Sequence, residues 1–374
     1  MKKNGKPAVK PAAAKVSDRF VIIMAGGRGE RFWPVSRGAT PKQLTRIVGE
    51  RSMIQATVER LHPLVPADRV LVITTAQLAD ETRRQLPQLK PEHVVAEPVG
   101  RDTAAAVCLA AIVVERISPG ATMLLLPADH LIEPAAAFQQ ALAAGIAHAR
   151  DGALVTYGIM PRTPATGYGY IHLGDDLPAH HGVAVNRVQR FVEKPDAATA
   201  QRYVDDGGFR WNSGIFTWRS DVVLAELEQH CPWLTEALAP VGAAWGTPDF
   251  AAVLERVYGP LRKISIDYAL MEKAKTIHAV TGDFAWDDLG SWDALYDHLP
   301  KDAHGVVAQG PTLTIDCHDS LLTSHSGQTI VGIGLEGLTV VATRDAILIV
   351  PKGRSQDVKK AVEALKERGR GELL

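Results

Sequence analysis

Val21-Ile22-Ile23-Met24-Ala25-Gly26-Gly27-Arg28-Gly29-Glu30-Arg31-Phe32-Trp33-Pro34, with Pro41-Lys42-Gln43 soon after, is the stretch around which the chain is organised. An apolar run of strand length stops at three glycines in four positions, and basic residues follow at once. Glycine lacks the Cβ that keeps a ligand at a distance, so successive backbone N–H groups can turn inward around phosphate oxygens. Arg28, Arg31 and Lys42 would neutralise the charge that those amides only orient. The spacing excludes a P-loop, because Gly26 to Arg31 lacks the Gly-x-x-x-x-Gly-Lys-Ser/Thr frame. It also excludes the dinucleotide fingerprint, because position 32 is Phe. The alternative is an ordinary strand-to-helix turn with solvent-facing arginines. Lys42 downstream, and no helical pattern after Gly29, favour a nucleoside triphosphate site.

Working outward, residues 19–157 alternate short apolar strands with helical stretches. Strands are expected at 69–74, 93–96, 122–126 and 153–157, with helices near 52–62, 77–86, 103–116 and 134–149. Ser52 and Gln55 form a capping-box pattern ahead of Ile54, Val58 and Leu61. Runs such as Met123-Leu124-Leu125-Leu126, apolar on both faces, indicate a parallel sheet covered by helices. Ligands of such sheets sit beyond the carboxyl ends of the strands. The glycine bend and Pro127-Ala128-Asp129-His130 both fall at that edge.

Past residue 160 the rhythm changes. Thr166-Gly167-Tyr168-Gly169-Tyr170-Ile171 leads into a strand, and 185–192 reads as another, ending at Glu193-Lys194-Pro195. A helix near 196–206 precedes Trp211-Asn212-Ser213-Gly214-Ile215-Phe216. These segments are expected as insertions roofing the open sheet edge, where a second substrate would bind. Ser265 to Tyr268 opens a helical segment. After Pro300 short apolar stretches at 312–315, 329–333, 338–341 and 347–350 suggest one or two β-helix coils, closed by a basic helix over 356–368. The expected domains are a disordered arm (1–18), a catalytic domain (19–300) and a short β-helix-like domain (301–374) that mediates homodimerisation.

The 374 residues carry a formal charge of −1, so no global field draws the chain to nucleic acid or anionic lipid. No apolar run approaches membrane-spanning length, and the first eighteen residues lack the apolar stretch of a signal peptide. Three scattered cysteines, Cys108, Cys231 and Cys317, argue against a disulfide framework and for a reducing cytoplasm.

Asp129 follows a buried strand, and Asp288 lies in Trp286-Asp287-Asp288-Leu289-Gly290-Ser291-Trp292. Two distant carboxylates with triphosphate oxygens between them suit Mg²⁺ or another divalent cation. The competing readings are helix caps: Asp129 before Glu133-Pro134, Asp288 for a helix starting near Ser291. His130 reads as a neutral orienting or packing residue. Trp211, Trp286 and Trp292 read as core or wall, and Asp267 as either an N-cap or a sugar contact.

Eight segments, from Ala25–Pro34 through Pro41-Lys42-Gln43-Leu44, Glu97-Pro98 with Arg101-Asp102-Thr103-Ala104, Leu126–His130 and Thr166–Ile171 to Phe191–Pro195, Trp211–Gly214 and Trp286–Trp292, stand in the order found in the sugar-phosphate nucleotidylyltransferases. The likeness covers roughly residues 19–300 and is nearest to the mannose-1-phosphate guanylyltransferases. The tail resembles the short β-helix of the compact bacterial form, with little room for the cupin-like domain of longer bifunctional relatives. The resemblance implies a Rossmann-like, mixed but mostly parallel α/β sheet flanked by helices. It implies that GTP and α-D-mannose 1-phosphate give GDP-mannose and pyrophosphate by in-line attack on the α-phosphorus. By the same likeness Ala25, Gly26, Gly27, Arg28, Gly29, Glu97, Asp102, Thr103 and Asp129 meet the nucleotide. Arg31 and Lys42 grip the triphosphate, and Asp129 and Asp288 hold the metal. Gly167, Tyr168, Gly169, Glu193 and Asn212 face the sugar, and Lys194 its phosphate. Glu30 stands where relatives often carry Thr, and Asp102 where Asn is usual. Two other readings stay open: a different NTP and sugar phosphate, or a non-catalytic subunit that binds nucleotide sugar.

Overall fold

The structure, a computed structural model, describes residues 18–27 and 29–374. All but the last residue of the expected disordered arm, and Arg28, lie outside the described residues. Strands β1 (Arg19–Met24), β2 (Val70–Thr75), β3 (Val94–Glu97) and β4 (Thr122–Pro127) alternate with helices α1 (Met53–Glu59), α2 (Ala79–Gln85) and α3 (Asp102–Ile117). The capping box at Ser52 and Gln55 is formed. A short β5 (Leu131–Glu133) precedes α4 (Ala135–Arg150) and β6 (Leu154–Ile159). Next come the hairpin β7 (Tyr170–His180) and β8 (Val183–Val192), helix α5 (Ala197–Asp206) and β9 (Phe209–Arg219). Helices α6 (Ser220–His230), α7 (Pro232–Ala244) and α8 (Phe250–Tyr258) follow. Then come β10 (Ile277–Thr281), β11 (Ala285–Asp287) and α9 (Trp292–His298).

Nine of these strands form one sheet in the order β3-β2-β1-β4-β9-β6-β10-β8-β7. Neighbours β1 to β4 run parallel, as do β6 and β10, whereas β9 and β8 run against them. The mixed, mostly parallel sheet is therefore present. Its period-2 side chains feed two cores. Phe20, Ile22, Met123 and Leu125 meet α3, α6 and α7 on one face, while Val21, Ile23, Leu124 and Leu126 meet α4 on the other.

One expectation needs correcting. The segment around Trp211-Asn212-Ser213-Gly214 is no roof: it is part of β9, a central strand paired antiparallel to β4 and β6. Strands β7 and β8 likewise extend the main sheet through β10. The segment around Asp267 is a single π-helical turn, Asp267–Met271. Long-range pairing decides these placements, and it leaves no local pattern in the sequence.

Close packing where α4 crosses the sheet makes one glycine indispensable. A Cβ on Gly145 would lie 2.0 Å from the hydroxyl of Tyr157, which is fully buried and 2.7 Å from Thr217 Oγ1. Gly145→Ala is expected to destabilise the protein by about 3 kcal/mol, through overpacking and a broken buried hydrogen bond. Denaturant unfolding measures this, and adding Tyr157→Phe should restore part of the loss.

The C-terminal unit contains β12 (Val307–Gln309), β13 (Thr312–Ile315), β14 (Leu321–Ser324), β15 (Ile330–Ile333), β16 (Leu338–Ala342), β17 (Ile347–Pro351) and α10 (Val358–Glu367). Parallel stacks β12–β14–β16 and β13–β15 are the expected β-helix coils, with β17 antiparallel on β16. Strands β12 and β14 were not expected, being short and little different in composition from their turns.

Candidate active site

A cleft of about 510 Å³ opens beyond the carboxyl ends of β1 and β4. Gly26, Gly27, Glu97, Asp102 and Thr103 line it. Gly167, Tyr168, Gly169, Glu193, Lys194, Asn212 and Asp288 line it too. Residues expected on both substrates thus meet at one cavity. Ala25, Gly29, Arg31, Lys42 and Asp129 are not part of this lining.

Gln43, which the sequence reading did not single out, shapes the bend. Its Nε2 donates to the carbonyls of Ala25 and Gly27, each at 2.9 Å, and Thr74 Oγ1 donates to the Ala25 carbonyl at 3.0 Å. Gly29 has φ 60°, and a Cβ there would stand 2.6 Å from Lys42 Cβ and 2.9 Å from the Lys42 nitrogen. Only glycine combines that left-handed conformation with so close an approach. Pro41 then starts the turn Lys42–Leu44, which sends the Lys42 side chain inward.

The Lys42 ammonium donates to Asp129 Oδ2 at 2.9 Å and to the main-chain oxygen of Asp288 at 2.5 Å. It is this one cation that joins two aspartates far apart in sequence. Burial works to raise the Asp129 carboxyl, yet the charge and hydrogen bond of Lys42, with His130, hold it below the usual carboxylate range. Tyr168 donates to Asp288 Oδ1 at 2.9 Å. Arg31 Nη1 and Asp288 Oδ1 each lie 3.2 Å from where a Cβ on Gly290 would be, so cation and carboxylate flank that glycine. Neither aspartate is a helix cap: Ser291 caps α9 and Pro134 precedes α4. Neighbouring Asp287 instead accepts the Leu289 N–H at 2.6 Å and pairs with His298 at 2.9 Å. His130 Nδ1 accepts from the Trp286 indole at 3.1 Å, and burial lowers its pKa, so the ring is neutral and orienting.

Asp129 and Asp288 offer the hard oxygen donors that Mg²⁺ takes. Among the described residues no three or more His, Cys, Asp or Glu gather as a metal cage. A cation here would complete its shell from phosphate oxygens and water, as Mg²⁺ commonly does.

Lys194 is hydrogen-bonded to Glu193, whose side chain is nearly buried. Asn212 has its amide fixed on both sides: Thr156 Oγ1 donates to its Oδ1 at 3.1 Å, and its Nδ2 donates to Asp267 Oδ1 at 3.1 Å. Asp267 makes no capping bond and lines the cleft, which removes the N-cap alternative. Burial, then the charge of Glu193, pushes its carboxyl up to about 6.

Glu97 is buried and accepts the hydroxyl of Tyr258. Burial pushes its carboxyl up to about 7, against the opposing effect of that bond. Between about pH 4.5 and 7 the unfolded chain releases this proton and the folded chain keeps it. Stability from this group therefore falls as pH rises through that window, by on the order of 3 kcal/mol, and levels off above it. Glu97→Gln is expected to flatten this slope and to raise stability at pH 8, as urea unfolding at pH 5 and 8 would show.

With this geometry in view, comparison with known proteins is decisive. A nucleotidyl transferase family model matches residues 20–305. This chain belongs to that family. A second model, the MannoseP isomerase/GMP-like beta-helix domain, matches residues 310–365. A mannose-1-phosphate guanylyltransferase of Klebsiella pneumoniae is 40% identical over 94% of this chain and 74% of its own length. The xanthan biosynthesis protein XanB of Xanthomonas campestris is 39% identical over 96% and 75%. The crystal structure of a Thermus thermophilus protein described as a mannose-1-phosphate geranyltransferase superposes with a TM-score of 0.83. It is 36% identical over 93% of this chain and 99% of that one. Within the nucleotidyl transferases, this chain belongs with the mannose-1-phosphate guanylyltransferases.

Proposed function

We propose that this nucleotidyl transferase joins the GMP part of GTP to α-D-mannose 1-phosphate, releasing pyrophosphate. The observation that carries the reading is one cleft lined by Asp288, Glu193, Lys194 and Asn212, with Lys42 tying Asp129 to Asp288 against it. A phosphate oxygen of the sugar attacks the α-phosphorus in line. The bond from that phosphorus to the oxygen bridging to the β-phosphorus breaks, and pyrophosphate carries away the electron pair. The nucleophile is already an anion, so no general base is required. Positioning and charge neutralisation supply the acceleration.

The glycine bend admits the nucleotide, with Arg31 and Lys42 set against its phosphates. Glu97, ionised above pH 7, and Asp102 present acceptors that suit the N–H groups of guanine. Lys194 meets the sugar phosphate, while Glu193 and the fixed amide of Asn212 bond sugar hydroxyls. When bound at Asp129 and Asp288, a divalent cation would add charge neutralisation on the phosphates.

The protein works in the cytoplasm as a homodimer. Three free cysteines support the compartment, and among the described residues no helix is long and apolar enough to cross a membrane. An exposed apolar stripe on β13 and β15 (Leu313, Ile315, Val331, Ile333) supports self-association.

Pyrophosphate release across four NTPs and several sugar 1-phosphates, with and without Mg²⁺, tests the reaction. Preferred turnover with dTTP or glucose 1-phosphate would overturn the substrate pair. Binding of GDP-mannose without any turnover would overturn catalysis itself.

A further inference from the structure

We propose that Arg37 is a positioning residue for the nucleotide end of the cleft. Through it the C-terminal unit keeps the Arg31-bearing turn aligned with the Asp288 loop. The inference rests on the reading that Arg31 contacts the triphosphate.

Arg37 does not line the cleft, and its side chain is only 15% exposed. Its guanidinium joins three pieces of chain. Nε donates to the Pro34 carbonyl at 2.6 Å, Nη1 to the Leu373 carbonyl at 2.5 Å, and Nη2 to Asp345 Oδ1 at 2.7 Å. The Leu373 carbonyl also accepts the Trp33 indole N–H at 2.8 Å, in a buried contact. The segment pinned in this way begins at Arg31, whose Nη1 donates to Gln356 Oε1 at 3.2 Å.

The Asp288 side is tied to the same frame. The Trp292 indole donates to the Trp33 carbonyl at 3.1 Å, and its ring lies 5.0 Å from that of Phe32. Phe32, Trp33, Leu289 and Trp292 share a single buried cluster with Val341, Leu348, Val350 and Val358 of the C-terminal unit. The turn carrying Arg31 and the loop carrying Asp288 thus rest on a common floor, much of it C-terminal. A rigid supporting shell of this kind is what holds cationic groups at catalytic distance. The planar fork meets these three acceptors with three separate nitrogens, a spread that lysine's donors, all on one nitrogen, do not span.

The experiment uses the full chain and compares Arg37→Met, Arg37→Lys and Asp345→Asn in initial-rate assays with GTP and mannose 1-phosphate. Both Arg37 variants should lose about tenfold in kcat/KM, expressed mainly as a raised KM for GTP with the KM for mannose 1-phosphate unchanged. Asp345→Asn, a mild change at a half-exposed side chain, should show about a twofold effect of the same kind. The decisive arm is a double-mutant cycle. Arg31→Ala alone should cost about a hundredfold, and adding Arg37→Met should then cost less than about twofold. Full additivity would overturn the inference, as would a lower melting temperature with normal kinetic constants or full rescue by lysine. If Arg31→Ala keeps normal rates, the phosphate reading itself falls and takes this inference with it. If Arg31→Ala is impaired but the two effects add, the inference alone falls. Should Arg37→Met not fold, Arg37→Lys takes its place in the cycle, with the same two outcomes.

Discussion

Lys42→Met is expected to lower turnover by about a thousandfold and stability by about 2 kcal/mol. The ammonium is almost wholly buried, its partner Asp129 about one-third exposed. Removing the cation leaves a carboxylate whose desolvation is unopposed, so the Asp129 carboxyl should rise from its present depressed value. Stability held by that depression is present above the ordinary carboxylate pKa and lost as pH falls through the folded value. The variant should therefore lose stability at neutral pH and show a weaker acid dependence below pH 5 than the parent. Lys42→Arg should not rescue it. The buried ammonium sits 2.9 Å from Asp129 Oδ2 and 2.5 Å from the Asp288 main-chain oxygen, and a bulkier planar guanidinium does not reproduce that point contact. Pyrophosphate release and thermal unfolding measure the two effects, and near-parental turnover in Lys42→Met would refute the role assigned to this residue.

Asp288→Asn should cut kcat by about a thousandfold while changing stability by less than about 1 kcal/mol. The amide oxygen can still accept the Tyr168 hydroxyl, so the local hydrogen bond survives while the charge is lost. Its neighbour provides an internal control. Asp287 holds the Leu289 N–H and His298, and its carboxyl, despite opposing burial, is kept low by the His298 hydrogen bond. Asp287→Asn should cost stability, with a much smaller effect on kcat. A reversal of these two results would move the chemistry from Asp288 to Asp287.

The glycine bend was legible because it is local: an apolar run, then residues without Cβ, then cations, all within one short segment. Asp129 was legible for the same reason, at the end of an unbroken buried strand. Gln43 was harder to see. A neutral amide in a three-residue motif carries no chemical signature until its two carbonyl acceptors are known. Asn212 was assigned through family likeness, yet the strand bearing it was expected on the roof. Its central place depends on pairing with β4 and β6, which no local periodicity encodes. Asp267 stayed undecided until folding brought it beside Asn212.

Taken by itself, the sequence determined the alternation of strand and helix, the edge at which ligands gather and the residue types gathered there. Hydrophobic periodicity and backbone freedom act over a few residues, and both can be read along the chain. The tertiary structure alone decided that one buried ammonium joins Asp129 to Asp288, that β9 divides the sheet, and that Arg37 ties the glycine turn to the C-terminal unit. These are contacts between segments from tens to hundreds of residues apart, where shape and charge complementarity, rather than local propensity, select the partner.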